Sequence, residues 1–268
     1  MVSIPGNFAR IGVVALLALL VGCITTTDGG FTEEYSPEKA LDARVELARQ
    51  YIGDGNWEAA KRNLQLAYDI DPKNAHVYEA FALVYQSTGE YELAEENFKM
   101  ALKIDPNFPR ARNNYAAFLF AQQRYEAAEK QLDIVVKDTL YSGRPLAFVN
   151  LGLCRVQLFN PEGAEEAFVR ALAMDRTNSI ALLEMAELRY NAGDYRNARQ
   201  YYGTYKTVVR QQSARGLWMG IRLAREQGNL NDESSYALAL ANRYPNSIEY
   251  EAYKRTVEIG RASCRERV

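Results

Sequence analysis

The sequence predicts an all-α fold, an α-solenoid of six helix-turn-helix repeats, on three observations. Asp71-Pro72 and Asp105-Pro106 lie 34 residues apart, and the segments around them align at that same offset, Ala43–Tyr51 against Val77–Tyr85. Small residues recur at two fixed places of the period. Gly and Pro number only 17 and 8 in 268 residues, too few for a sheet protein that must turn every ten positions or so. A fixed period of this length marks helical hairpins that bury their apolar faces by stacking on one another.

Continuing the frame gives units at 41–74, 75–108, 109–142, 145–178, 179–212 and 214–247. The eighth place is small in Ala48, Ala82, Ala116, Gly152 and Ala186, where the first helix of a hairpin approaches its partner closely. The twentieth place, Ala60, Ala94, Ala128, Ala164 and Ala198, does the same on the second helix. Between them, Gly55-Asn56-Trp57, Gly89-Glu90-Tyr91, Gln123-Arg124-Tyr125 and Gly193-Asp194-Tyr195 turn the chain, and the aromatic opens the second helix. Pro72, Pro106 and Pro245 end second helices. The fourth unit departs with Phe159-Asn160-Pro161. The sixth has Glu233 in place of alanine and is expected to act as a cap, and 248–257 reads as a C-terminal helix end. This combination of period, small residues, aromatic and proline resembles the tetratricopeptide repeat (TPR), which implies a TPR superhelix whose first helices line a concave groove.

Both ends carry other signals. Arg10 followed by the apolar run Ile11–Val21 reads as an export signal over 1–22, because eleven residues are too short to span a bilayer. The run closes on Leu20-Val21-Gly22-Cys23, which resembles the bacterial lipobox. Cys23 is then the lipidation site and new amino terminus, carrying palmitate-type acyl chains as the chain's only expected prosthetic group, with no other cofactor. Each buried CH₂ contributes about 0.8 kcal/mol, so two or three such chains hold a protein on a membrane almost permanently. Ile24, where an Asp would signal retention, resembles sorting to the outer membrane. Residues 23–40, including the polar stretch TTTDGGFTEEYSP, form a flexible tether. The last eleven residues, 258–268 (EIGRASCRERV), break the repeat pattern and resemble an in-frame translation of a sequencing-adapter oligonucleotide.

Composition narrows the chemistry. Lys and Arg number 32 against 34 acids, for a net charge of -2, so no nucleic-acid partner is expected. A single histidine, His76, removes most His-based catalysis and multi-His metal sites, and His76 reads as an exposed or capping residue. Cys154 reads as a buried thiol. The pairs Glu95-Glu96 and Glu165-Glu166 fall on second helices and read as solvated outer face. The sequence contains no GxxxxGK, GxGxxG, HExxH or CxxC motif. We therefore expect a non-enzyme, with no metal and no small-molecule substrate.

The groove is the expected site. Carrying over the groove-facing places of the resemblance gives Val45, Arg49 and Ile52, then His76, Glu79, Leu83 and Gln86. Asn113, Ala117 and Phe120 follow, then Val149, Leu153 and Val156, and finally Leu183, Glu187 and Tyr190. Many are apolar, as befits a surface that docks an amphipathic or extended segment of another protein. The two-carboxylate clamp of chaperone-binding TPR proteins is not expected, because Val45 and Arg49 stand where it needs Lys and Asn.

Beyond the repeats, Asn113–Leu119 with Arg124–Ala128, the segment Asp138-Thr-Leu-Tyr-Ser-Gly-Arg144, Gly220–Ala224 and Tyr244–Ser247 resemble the PilF/PilW-type pilotins, the type IV pilus biogenesis and stability lipoproteins. The resemblance covers roughly residues 12 to 257. It implies a monomeric, lipid-anchored protein on the periplasmic face of the bacterial outer membrane that binds secretin subunits and promotes their localisation and multimerisation in type IV pilus assembly. A TPR lipoprotein that scaffolds peptidoglycan hydrolases or synthases is the alternative.

Overall fold

The computed structural model describes residues 36–265, with side chains through Glu258. Cys23, the export signal and most of the tether lie outside the described residues. The chain divides into two units. Of Met1–Ala40 only the first turn of a helix is described, with Ser36 Oγ accepting from the Lys39 N–H at 3.3 Å. The second unit, Leu41–Val268, holds the repeat array.

Among the described residues there are thirteen α-helices and no strands. In chain order they are α1 (Pro37–Gly53), α2 (Trp57–Ile70), α3 (Ala75–Thr88), α4 (Tyr91–Ile104), α5 (Pro109–Ala121), α6 (Tyr125–Val135) and α7 (Arg144–Gln157). They continue as α8 (Pro161–Met174), α9 (Ser179–Asn191), α10 (Tyr195–Val208), α11 (Ala214–Glu226), α12 (Leu230–Arg243) and α13 (Ile248–Arg265). Odd-numbered helices through α11 are the first helices of six hairpins and even-numbered ones the second, a TPR solenoid. None is long and apolar enough to cross a membrane.

The close-approach places behave as their residue types demand. Ala48, Ala82, Ala116 and Ala186 on first helices and Ala60, Ala94, Ala128, Ala164 and Ala198 on second helices are all fully buried. At Gly152 even a methyl group is excluded, since a Cβ there would stand 2.5 Å from the Phe168 ring across the hairpin. Fully buried Phe98 and Phe118, with ring centroids 5.7 Å apart, and Phe168 fill the centre of the stack, and each such ring stabilises the fold by about 1.5–3 kcal/mol relative to exposure.

The hairpin turns need one residue in the left-handed region. Gly55, Gly89, Gly193 and Gly228 supply it in four units, while Gln123 (φ 58°) and Phe159 (φ 55°) adopt it against their preference. Turns between units share a different device. Asp71, Asp105, Asp138 and Asp175 each accept the backbone N–H two residues on, at 2.9–3.0 Å. Pro follows the first two of these but not the others, so the aspartate rather than the proline defines the joint.

Two elements add to the sequence reading. Residues 248–257, expected as a C-terminal helix end, belong to helix α13, which is separate from α12 and runs on to Arg265. Its Tyr250 and Tyr253 pack with Leu217, Ile221 and Leu240, so the last hairpin is itself covered. Glu95 and Glu165 are only partly solvated and also carry ion pairs: Glu95 accepts from Arg124 at 2.7 Å and Tyr115 at 2.9 Å, and Glu165 pairs with Arg189. These pairs tie each second helix to the next unit, which periodicity alone does not reveal.

A candidate protein-binding groove

Burial sorts the expected groove residues by their place in the repeat. Those at the fifth place, Val45, Glu79, Asn113, Val149 and Leu183, are buried and cannot be surface contacts, which corrects the sequence reading. The reason is visible in their partners. Glu79 accepts from Arg49 of the unit before and from Asn114 Nδ2 of the unit after, at 2.6 Å for the latter, and Asn113 Oδ1 accepts from Asn150 of the next unit at 3.2 Å. Three consecutive first helices meet at the fifth place, so it forms the floor of the groove. The ninth and twelfth places lie at the surface: Arg49, Leu83, Leu153 and Glu187, then Ile52, Gln86, Phe120, Val156 and Tyr190, are half-buried, and Ala117 is exposed.

The structure groups these residues into three stations. At the centre, Ala117 and Phe120 of α5 face Leu153 of α7 across an apolar notch of about 70 Å³, completed by Ala116, Asn150, Cys154 and, beneath, Leu132. A hollow this size holds a few waters or one aliphatic tip, and its lining makes the latter the better occupant. Cys154 contributes bulk rather than reactivity, because burial pushes its thiol up to about 12.

Towards the amino end, Arg49, His76 and Glu79 come together with Arg110, which the sequence reading missed. Arg110 Nη2 lies 2.9 Å from His76 Nδ1, its guanidinium covers the Phe108 ring at 5.2 Å, and His76 packs edge-on against the same ring. Burial, then Arg110 and Arg49, lower the His76 pKa. Extending the second place, at which His76 sits, into the third unit would have found Arg110. Tyr141, from the 138–144 segment, is half-buried within electrostatic reach of Arg110 and Glu79. In the same segment Arg144 Nε donates to the Val136 carbonyl at 2.7 Å, closing the end of α6.

Towards the carboxyl end, Arg215 forks onto both oxygens of Glu184 and onto Glu187 at 2.8 Å. Arg222 stacks over the Tyr190 ring at 4.8 Å, and the Tyr190 hydroxyl donates to Glu226 at 3.2 Å. Arg222 was also missed, although it stands at the ninth place of the sixth unit. Among the described residues no group of His, Cys, Asp and Glu side chains is arranged to hold a metal ion.

A solenoid of helical hairpins whose concave face offers an apolar notch between charged stations is a TPR protein. Comparison with known proteins agrees and goes further. The tetratricopeptide repeat family profile matches residues 85–139. The type IV pilus assembly protein PilF of Pseudomonas aeruginosa is 39% identical over 247 residues, which cover 91% of this chain and 98% of that one. A structure reported for functional characterisation of Pseudomonas aeruginosa PilF superposes with a TM-score of 0.79, covering 82% of this chain and 99% of that one at 39% identity. PilW, described as a widely conserved type IV pilus biogenesis factor, superposes with a TM-score of 0.71 at 26% identity, covering 80% of this chain and 98% of that one. The chain belongs to the PilF family of type IV pilus biogenesis proteins.

Proposed function

We propose that this protein is a non-catalytic outer-membrane lipoprotein that captures secretin subunits in its groove and promotes their multimerisation in type IV pilus assembly. The observation that carries the reading is the notch formed by Ala117, Phe120 and Leu153, an apolar hollow held open on the concave face of a PilF-family array. Apolar side chains with room between them are a poor arrangement in water and a good one against a partner's aliphatic residue. Lipid on Cys23 holds the array on the periplasmic face of the outer membrane. A subunit bound in the groove then meets other tethered subunits at raised local concentration, and ring assembly is favoured where the pore is needed.

The test separates anchor from groove. Cys23→Ser and, independently, Leu83→Glu with Phe120→Glu are each expected to reduce secretin multimers in the outer-membrane fraction. Multimers at wild-type level in both strains would refute the proposal. Recovery of cell-wall hydrolases or synthases in place of secretin from solubilised envelopes would point to the scaffold alternative.

A further inference from the structure

The amino-terminal station has a charge imbalance that the notch does not explain. Within 4 Å, Arg49 and Arg110 reach the same carboxylate among the described residues, that of Glu79. Glu79 is fully buried and already accepts from Arg49 and from Asn114. Arg110 Nε is 3.9 Å from it, too far for a hydrogen bond, and that nitrogen is buried with no acceptor at all. A buried donor left unmade is costly, and two guanidiniums on one carboxylate leave about one positive charge unmatched. Asp42 and Glu46 add some negative field from exposed positions on α1. Tyr141 lies within electrostatic reach of Arg110 and Glu79. The Arg110 side chain is 40% exposed and, besides its contact with His76, has no hydrogen-bond acceptor for Nε.

We infer that Arg49 and Arg110, flanking His76, form a carboxylate-binding station that takes an Asp or Glu side chain of the segment docked in the groove. The inference rests on the reading of the groove as a protein-binding site and specifies its ligand. Arginine suits this task because its planar fork meets a carboxylate with two donors. The spacing is also set. Seven residues of α5 separate Arg110 from Ala117 at the notch, about 10 Å at the helical rise of 1.5 Å per residue. A segment in the extended polyproline II conformation, with three residues per turn and a rise of about 3.1 Å, covers roughly that distance in three residues and returns the side chain to the same face. The fitting ligand is therefore an extended stretch with an acidic residue three positions from an aliphatic one. An unpaired Nε alone does not make such a station, since Arg222 has one too, but Arg222 lies 3.7 Å from a carboxylate that belongs to an acid-rich cluster.

His76, the only histidine in the chain, is a built-in reporter touching Arg110. Its ring proton resonances are to be followed in the detergent-solubilised full chain during titration with sodium acetate, with sodium chloride at matched ionic strength as control. Acetate is expected to shift them saturably and to raise the His76 titration midpoint, because a bound carboxylate offsets the field of both arginines. Arg110→Gln is expected to abolish the response and Arg110→Lys to retain a weaker one, with unfolding temperatures unchanged. The peptide acetyl-Glu-Ser-Gly-Leu-amide is expected to bind at least roughly tenfold more tightly than its Gln counterpart, a difference of about 1.4 kcal/mol. Acetate and chloride responses of equal size, or an Arg110→Gln variant that still responds, would overturn the inference. A carboxylate response in a protein whose groove variants still multimerise secretin would instead leave this station standing and refute the functional reading.

Discussion

The two ends of the groove use the same residue types in opposite proportion. At the amino end two guanidiniums, Arg49 and Arg110, share the single carboxylate of Glu79. At the carboxyl end the carboxylates of Glu184, Glu187 and Glu226 surround Arg215 and Arg222, and Arg222 is further covered by the Tyr190 ring. Hydrogen bonds that Arg215 donates to Glu184 and then Glu187 hold its pKa above the usual arginine value, the signature of a charge whose partners are in place. A matched network of this kind joins the fifth and sixth units and leaves little for a ligand to gain. The amino end, held together by one buried acid, keeps donors to spare. Similar side chains thus serve as fastening at one end and as reception at the other, and the balance of charge decides which.

Substitution of the shared acid gives the largest expected effect. Glu79→Ala strands two guanidiniums over a buried floor and is expected to cost about 3–5 kcal/mol, read as a drop in the midpoint of chemical unfolding. Glu184→Ala is expected to cost about 1–3 kcal/mol, because Glu187 still holds Arg215, whose side chain is 42% exposed. Equal losses, or a larger one at Glu184, would break the comparison.

Between the ends, Phe120→Ala removes one wall of the notch. It is expected to weaken secretin binding about tenfold while lowering stability by less than about 1.5 kcal/mol, since Phe120 is only half-buried. Calorimetric binding and thermal unfolding of the same sample check both parts.

The outer face offers a pH-dependent contrast. Hydrogen bonds from Arg124 above all, helped by Lys99 and Tyr115, hold the Glu95 carboxyl down at about 2, from an ordinary 4.5. A depressed carboxylate contributes its stability above the unfolded-state pKa and loses it as pH falls through the folded one. The melting temperature of the wild type is therefore expected to fall between about pH 4.5 and 2 more steeply than that of Glu95→Gln. Identical slopes would show that the outer ion pairs add nothing.

The smallest effect is local. Phe159 stands 93% exposed in a left-handed turn where four other hairpins use glycine. Phe159→Gly is expected to gain about 1 kcal/mol in unfolding free energy by relieving the backbone. A loss instead would mean that the ring makes a contact of its own.

How much of this was legible in the sequence depended on the range of the interaction. The close-approach alanines, the hairpin turns and the buried Cys154 follow from one hairpin and its period, and the structure places each of them as the residue types imply. The fifth place was misread because its surroundings are built by three successive units, as the Arg49, Glu79 and Asn114 contacts show. The 138–144 segment stood out as unlike a generic repeat, yet what it does, bringing Tyr141 towards Arg110 and closing α6 with Arg144, depends on contacts no spacing rule encodes. Helix α13 was legible only as a C-terminal helix end because the period stops before it, and its Tyr250 and Tyr253 stack on each other and pack on the sixth hairpin.

The central claim is that the concave face receives the secretin. Its most direct test places a photo-crosslinking amino acid at position 120, in the notch, or at position 134, where Ile134 is half-exposed on second helix α6, in cells assembling type IV pili. A covalent adduct with secretin subunits from position 120 and none from position 134 is the predicted result. Adducts from position 134 alone, or no secretin adduct from position 120, would contradict it.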